Sequence, residues 1–198
     1  GTAIHSCMEM YLKKEEVNVP PEYSDFWTGM EPMLDQFEEV IWAETPLYDY
    51  HQYCLSSDKV GRVWGRNELG HSWVGSPDII GVANGKLTLA DLKTSAKPYC
   101  RWWPKDLEKG SIEWRNRLGG YMKFNKCCLQ LGAYALGIEQ TLNMKVQQAA
   151  ILVSTPEGTQ LFKITRNHLN SAQDKWLKVV NEYYSDPARE EMYDPSLI

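Results

Sequence analysis

Asn84-Gly85, set between two apolar runs, constrains this chain more than any other pair of residues. An Asn-Gly step readily supplies the two left-handed residues that a type I′ turn demands, so the flanking runs fold back on each other as a tight antiparallel ribbon. Those runs are residues 72–82 and 86–93. Side chains two apart on a strand share a face. Asp91 and Lys93 therefore leave the second strand together, and Asp78, on the first, is carried alongside them. Two acids and an amine meet without any long-range assumption. Carboxylate oxygens suit hard divalent cations. A bound cation lowers the pKa of a water and offsets charge on a phosphodiester, and an ammonium beside it orients the water. The bland alternative is that all three are ordinary surface charges, since an Asp-x-Lys triplet is common. Acid and amine on one face of an apolar strand are less so.

Around the ribbon the periodicity predicts an alternation of helices and strands. Ile4, Met8, Tyr11 and Leu12 make an apolar helical stripe over 2–14, and Pro20-Pro21 ends it. A second helix is expected from Ser24 or Asp25 to Val40, with Phe26, Met30, Leu34 and Phe37 on one face. Residues 41–55 read as strand, and 57–71, with Gly61, Gly65 and Gly70, as turn or irregular chain. The stretch after Lys93, through Pro98, Pro104, Gly110 and Gly119-Gly120, shows no clear period and reads as a long loop. Beyond it come a helix over 121–140, a hairpin of 146–155 and 159–164 across Pro156-Glu157-Gly158, and an amphipathic helix over 167–184. The expected fold class is α/β, a central mixed sheet flanked by helices. A length of 198 residues suits one domain, taken as 1–185, with 186–198 a polar, frayed tail.

Charge is unevenly distributed. Residues 93–126 carry nine Lys and Arg against Asp106, Glu108 and Glu113, so this segment is +6 in a chain of net −5, leaving −11 elsewhere. Tyr99, Trp102, Trp103, Trp114, Tyr121 and Phe124 lie among those cations. Cations follow a nucleic-acid backbone and rings stack on bases, which is how single strands are held. The alternative is that the tryptophans anchor a loop and the charges face water. No apolar run approaches the roughly 20 residues of a membrane span. Five cysteines, none in Cys-x-x-Cys spacing, argue against a zinc ribbon or a disulfide framework and predict reduced thiols in an intracellular protein. The chain opens without Met and already in a helical pattern, as a trimmed chain or the later part of a longer protein would.

Pro77-Asp78 followed by Asp91-Leu92-Lys93 matches the Pro-Asp…(Asp/Glu)-x-Lys signature, and the chain resembles the PD-(D/E)xK nuclease superfamily with its restriction-endonuclease-like core. Three further features resemble its RecB-like branch. Gly1-Thr2-Ala3-Ile4-His5…Glu9…Tyr11-Leu12 looks like the helical His motif, Ala43-Glu44-Thr45-Pro46 like the first-strand Glu, and Gln130-Leu131-Gly132-Ala133-Tyr134 like the Gln-x-x-x-Tyr helix. These span residues 1–134 in the family's order, and the likeness is nearest to single-domain exonucleases of the mitochondrial genome maintenance type and their phage relatives.

The resemblance implies a metal-dependent DNA exonuclease of replication, recombination or repair that prefers single-stranded or flapped ends. Its metal ligands would be His5, Asp78, Asp91 and the Leu92 carbonyl, holding one or two Mg²⁺ or Mn²⁺ ions. Asp78, Asp91, Lys93 and Glu44 would be catalytic. Gln130, Tyr134, Lys97, Arg101, Trp102, Trp103, Arg115 and Arg117 would contact DNA. His5 and Glu9, four apart, can reach one site; the bland alternatives are a helix-surface or capping residue for His5 and a capping or salt-bridge residue for Glu9. Glu44 has the alternative of an exposed strand residue, Tyr134 of a core residue and Gln130 of a solvated one. His51, His71 and His168 lack ligand spacing. No Cys follows Cys128, so an iron–sulfur cluster is not expected, and no Walker-type loop is present. The expected partner is DNA, not a membrane, in the cytoplasm of a bacterial or phage-infected cell, or in mitochondria if the host is eukaryotic. Rival readings are an endonuclease or repair-complex subunit of the same fold, a catalytically inactive single-strand-binding module, and a hydrolase of another substrate class.

Overall fold

The computed structural model describes residues 1–46 and 62–186. The expectations for 47–61, which include His51 and most of the predicted 41–55 strand, and those for the tail from 187 lie outside them. The chain opens with α1 (Thr2–Leu12), which buries Ile4, Cys7 and Met8. The predicted second helix is instead a 3₁₀ turn (Pro21–Tyr23), two single turns, α2 (Ser24–Trp27) and α3 (Glu31–Leu34), and a strand, β1 (Phe37–Ala43). The apolar spacing there suits a helix, but Gly29 turns left-handed (φ 77°) and stops it. Residues 37–43 then find a ladder on a neighbouring strand, so tertiary pairing overrides local period.

β2 (Thr45–Pro46) pairs back on β1. The segment read as irregular contains β3 (Val63–Arg66), paired with β4 (Ser72–Gly75) in a small separate sheet. The predicted strand 72–82 is therefore two strands, β4 and β5 (Ile79–Ala83), divided at Ser76-Pro77-Asp78, where Pro77 has no N–H for a ladder. β5 and β6 (Lys86–Thr94) form the expected ribbon, with Asn84 at φ 52° and Gly85 at φ 66°.

The long loop is shorter than expected. α4 (Ile112–Thr141) begins nine residues before the predicted 121, capped by Ser111, whose hydroxyl accepts from the Trp114 N–H at 3.0 Å. Gly119-Gly120 reads as a helix breaker but lies inside α4. A Cβ on Gly120 would stand 2.8 Å from the Pro98 carbonyl oxygen, so this glycine is where the 98–100 backbone crosses the helix. β7 (Gln148–Thr155), β8 (Gly158–Ile164) and α5 (Arg166–Ser185) follow close to expectation.

The main sheet has the order β2-β1-β5-β6-β7-β8 and is mixed: β6 and β7 run parallel with α4 as their crossover, and the other pairs are antiparallel. Alternation sorts side chains to two cores. Ile4, Met8, Trp27, Met30 and Leu34 pack with Ile79, Ala90, Leu92 and Leu152 on one face. Leu131, Ala135 and Ile138 of α4 and Leu169 of α5 pack with Ile80, Leu89 and Ile151 on the other. By the same parity Asp78, Asp91 and Lys93 stand on the α4 side. Among the described residues no helix is long and apolar enough to cross a membrane.

Candidate functional site

The site lies where β5 enters the sheet and β6 leaves it. The Trp42 indole donates to the Pro77 carbonyl at 2.9 Å and fixes the turn that delivers Asp78. The Leu92 N–H donates to Asp78 Oδ2 at 2.6 Å, so a carboxylate takes the place of a ladder carbonyl at the end of the ribbon. A residue's N–H and C=O point to the same edge of a strand, so the Leu92 carbonyl faces that edge too. The Glu44 N–H donates to the Asp78 backbone oxygen at 2.7 Å. Glu44 itself sits at φ 56°, a left-handed conformation that a residue with a Cβ adopts at a cost. From α1, His5 Nδ1 donates to the Gly1 carbonyl at 3.0 Å, and Nε2 faces Asp78 Oδ2 at 3.4 Å. In the neutral ring that tautomer leaves Nε2 as a lone pair aimed into the site.

His5, Glu44 and Asp78 each present a donor atom, all within 4.8 Å of one another. Glu44 Oε1 is buried and accepts no hydrogen bond from the described residues. An orphaned carboxylate oxygen is costly unless something outside the chain completes it. Two carboxylates and an imidazole fit Mn²⁺ well and Mg²⁺ adequately. Asp91, expected among the ligands, stands outside this trio. It is 1% exposed, and Lys93 Nζ lies 2.7 Å from its Oδ2. At that distance the ammonium both pairs with the carboxylate and donates to it.

The charges perturb one another. The hydrogen bond to Asp78 outweighs burial and raises His5 to about 9. Burial, with the Asp78 charge behind it, raises Asp91 to about 7. Burial and Asp78 also push Glu44 up. Burial pulls Lys93 down, but Asp91 more than reverses this, so Lys93 remains an ammonium. Perturbation of this kind concentrates at functional sites.

α4 supplies the facing wall. Gln130 Nε2 donates to the Tyr134 hydroxyl at 2.6 Å, and Tyr134 lies close enough to Asp91 and Asp78 to feel their charge. Gly75 makes room: a Cβ there would come 2.2 Å from the Tyr134 ring. Lys123 and Cys127 continue this stripe toward the helix start at spacings of four and three, and neither belongs to the sequence motifs. Lys123 Nζ donates to Ser95 Oγ at 3.1 Å and lies over the Tyr99 ring. Cys127 hydrogen-bonds Tyr99 and feels the charge of Asp91 and Lys93, and burial raises its thiol to about 12. The signal that would have found both is helical spacing counted backward from Gln130.

The basic aromatic segment is less free than its composition suggests. Trp102 and Trp103 are 74% and 51% exposed, and Lys97 is exposed. Trp103 meets Trp114 and Tyr121 edge-on. Arg101 donates to the Lys163 carbonyl at 2.8 Å, and its guanidinium lies over Phe124 and Phe162. Arg115 holds the Gly110 carbonyl with two N–H groups, and Arg117 pairs with Glu113 at 3.6 Å. Glu9 is taken by Lys13 at 2.6 Å and is not one of the three clustered donors. His71 bonds Asn67 and Asn181 and stacks on Tyr184, while His168 bonds Thr165 at the start of α5.

No family profile and no curated protein matches the chain. Among solved structures it is similar to a protein from Eubacterium rectale called "Putative exonuclease", with 19% identity over 92% of this chain and 68% of that one, at a TM-score of 0.38. It is also similar to a protein called SSO0001, with 14% identity over 55% of this chain and 41% of that one, at a TM-score of 0.26.

Proposed function

We propose that the chain is a metal-dependent nuclease of the PD-(D/E)xK type and RecB-like branch, cutting phosphodiester bonds at single-stranded or flapped DNA ends. One observation carries the reading: the His5, Glu44 and Asp78 donors converge beside a buried Asp91–Lys93 pair at the end of one ribbon. Asp78, Glu44 and His5, with the Leu92 carbonyl on the same edge, would hold Mg²⁺ or Mn²⁺. Bound there, the ion supplies a water of lowered pKa and neutralises charge on the phosphodiester.

The chain's own groups divide the remaining work. Lys93, whose ammonium form the Asp91 carboxylate favours, would act as a donor that orients the attacking water and offsets charge growing on phosphate oxygens. Asp91 is the positioning residue that fixes the ammonium through its 2.7 Å contact. The Tyr134 hydroxyl accepts from Gln130, which leaves its own proton free for a phosphate oxygen. The exposed Trp102 and Trp103 rings favour unpaired bases, on which they stack. The resemblance, together with those rings, is what favours ends and single strands.

End-labelled linear and circular single-stranded DNA, incubated with Mg²⁺, Mn²⁺ or chelator, tests this reading. Mononucleotides or short products from the linear strand with either metal, none with chelator, and an intact circle are expected. A cut circle would make it an endonuclease of the same fold. A linear strand left whole with both metals would leave only the binding module.

A further inference from the structure

α4 and α5 cross in close contact at Gly132, where a Cβ would stand 2.6 Å from the Ala172 backbone. Beside that crossing opens a cleft of about 630 Å³. One wall is a stripe on α4 at Met122, Lys126 and Leu129; the other is a stripe on α5 at Ala172, Lys175 and Val179. At 100° per residue, Met122 and Leu129 lie about 110° to 130° around α4 from the middle of the Lys123–Tyr134 stripe. The cleft is therefore separate from the metal-site face of α4, although it shares Trp102 with the proposed base-stacking surface. Met122 is 60% exposed and Val179 39%, an apolar exposure that the monomer's own packing does not explain.

The chemistry of the cleft selects its occupant. Arg101, Lys126 and Lys175 line it, and none of the described residues lining it is acidic. Arg101 and Lys175 direct their charge onto the half-buried Cys128 thiol, and Arg101 is fixed by the Lys163 carbonyl. The floor is mostly aliphatic, and its one phenyl ring, Phe124, already packs against Arg101 and Phe162. Trp102 alone offers an open ring, and one ring is no platform for successive bases. Along α5 the lining runs from His168 to Val179, about 16 Å or three helical turns. We infer that this cleft docks an acidic amphipathic helix of a partner protein, its apolar side against Leu129, Ala172 and Val179 and its carboxylates against Arg101, Lys126 and Lys175.

A display library of random 16-residue peptides, selected on the intact protein with Met122→Glu/Val179→Glu as counter-target, tests the inference. Both positions are exposed, and circular dichroism checks that the variant is folded. The expected winners are net acidic, with apolar residues at i, i+3 or i+4, and i+7. Lys175→Glu should weaken their binding at least tenfold, and 0.5 M salt should weaken it further. Hydrolysis of single strands should be unchanged in the Met122/Val179 variant. The inference is overturned if nothing enriches, if winners are basic or bind the variant equally, or if a 20-nucleotide oligo-dT displaces them, which would make the cleft a nucleic-acid path. It is also overturned if the same substitutions break up a dimer seen by gel filtration, since the occupant would then be a second copy of this chain.

Discussion

The end of the β5–β6 ribbon and the 95–117 stretch both gather charge, and they treat it in opposite ways. At the ribbon the charges are buried or half-buried: His5, Glu44 and Asp91 all move from their ordinary pKa, and a Glu44 oxygen has no hydrogen-bond partner among the described residues. In the stretch, Arg101, Arg115 and Arg117 already hold carbonyls or a carboxylate of their own chain. What that stretch holds out to solvent is ring surface at Trp102 and Trp103 and the ammonium groups of Lys97, Lys105 and Lys109. Richness in a residue type is thus a poor guide to where binding free energy is available; incomplete satisfaction in a buried place is a better one.

The contrast predicts a ranking of effects. Asp91→Asn should lower hydrolysis roughly 10³-fold or more, about 4 kcal/mol on the barrier, and leave the melting temperature unchanged or higher, because it removes a buried acid. A melt falling with the activity would make Asp91 a structural residue. Lys93→Met should cost about 3 kcal/mol of stability in urea by stranding Asp91, and Asp91→Asn added to it should restore the stability without the activity. A double variant no more stable than Lys93→Met would sever the pair.

His5→Ala should weaken Mn²⁺ binding by about 10–100-fold in calorimetry. The pH dependence has a definite sign. His5 goes from 6.5 to about 9 in the metal-free fold. Its pairing therefore stabilises that fold fully below about pH 6.5 and is lost as pH climbs toward 9. A ligand imidazole must be neutral, so Mn²⁺ affinity should rise about tenfold per pH unit over the same span, releasing close to one proton. A flat profile would remove His5 from the ligand set. The smallest effects belong to the stretch: Trp102→Ala should weaken oligonucleotide binding by about 1 kcal/mol, and Arg117→Ala should change stability by less than about 0.5 kcal/mol. An Arg117 effect exceeding that of Trp102 would reverse the comparison.

The fold was most legible where the signal was local. Asn84-Gly85 fixed the ribbon, and the ribbon carried Asp78, Asp91 and Lys93 to one place. The mixed sheet flanked by helices followed from element order. The sequence misled where a long-range partner decided the outcome. Phe37 to Ala43 has helical spacing but pairs with β5, and Gly119-Gly120 looks like a break but serves a backbone crossing. At the ribbon end, the position of His5 beside Asp78 was legible through its motif. The separation of Asp91 from the three clustered donors was not, because it depends on which neighbour reaches each carboxylate first.

Glu44 carries a last consequence. Its backbone sits where glycine is most at ease, and glycine is what a search for a more heat-resistant version of this chain would select there. Glu44→Gly would relax the turn and delete the oxygen that no described residue satisfies. Improving the scaffold at this position would therefore remove one of the three clustered donor atoms.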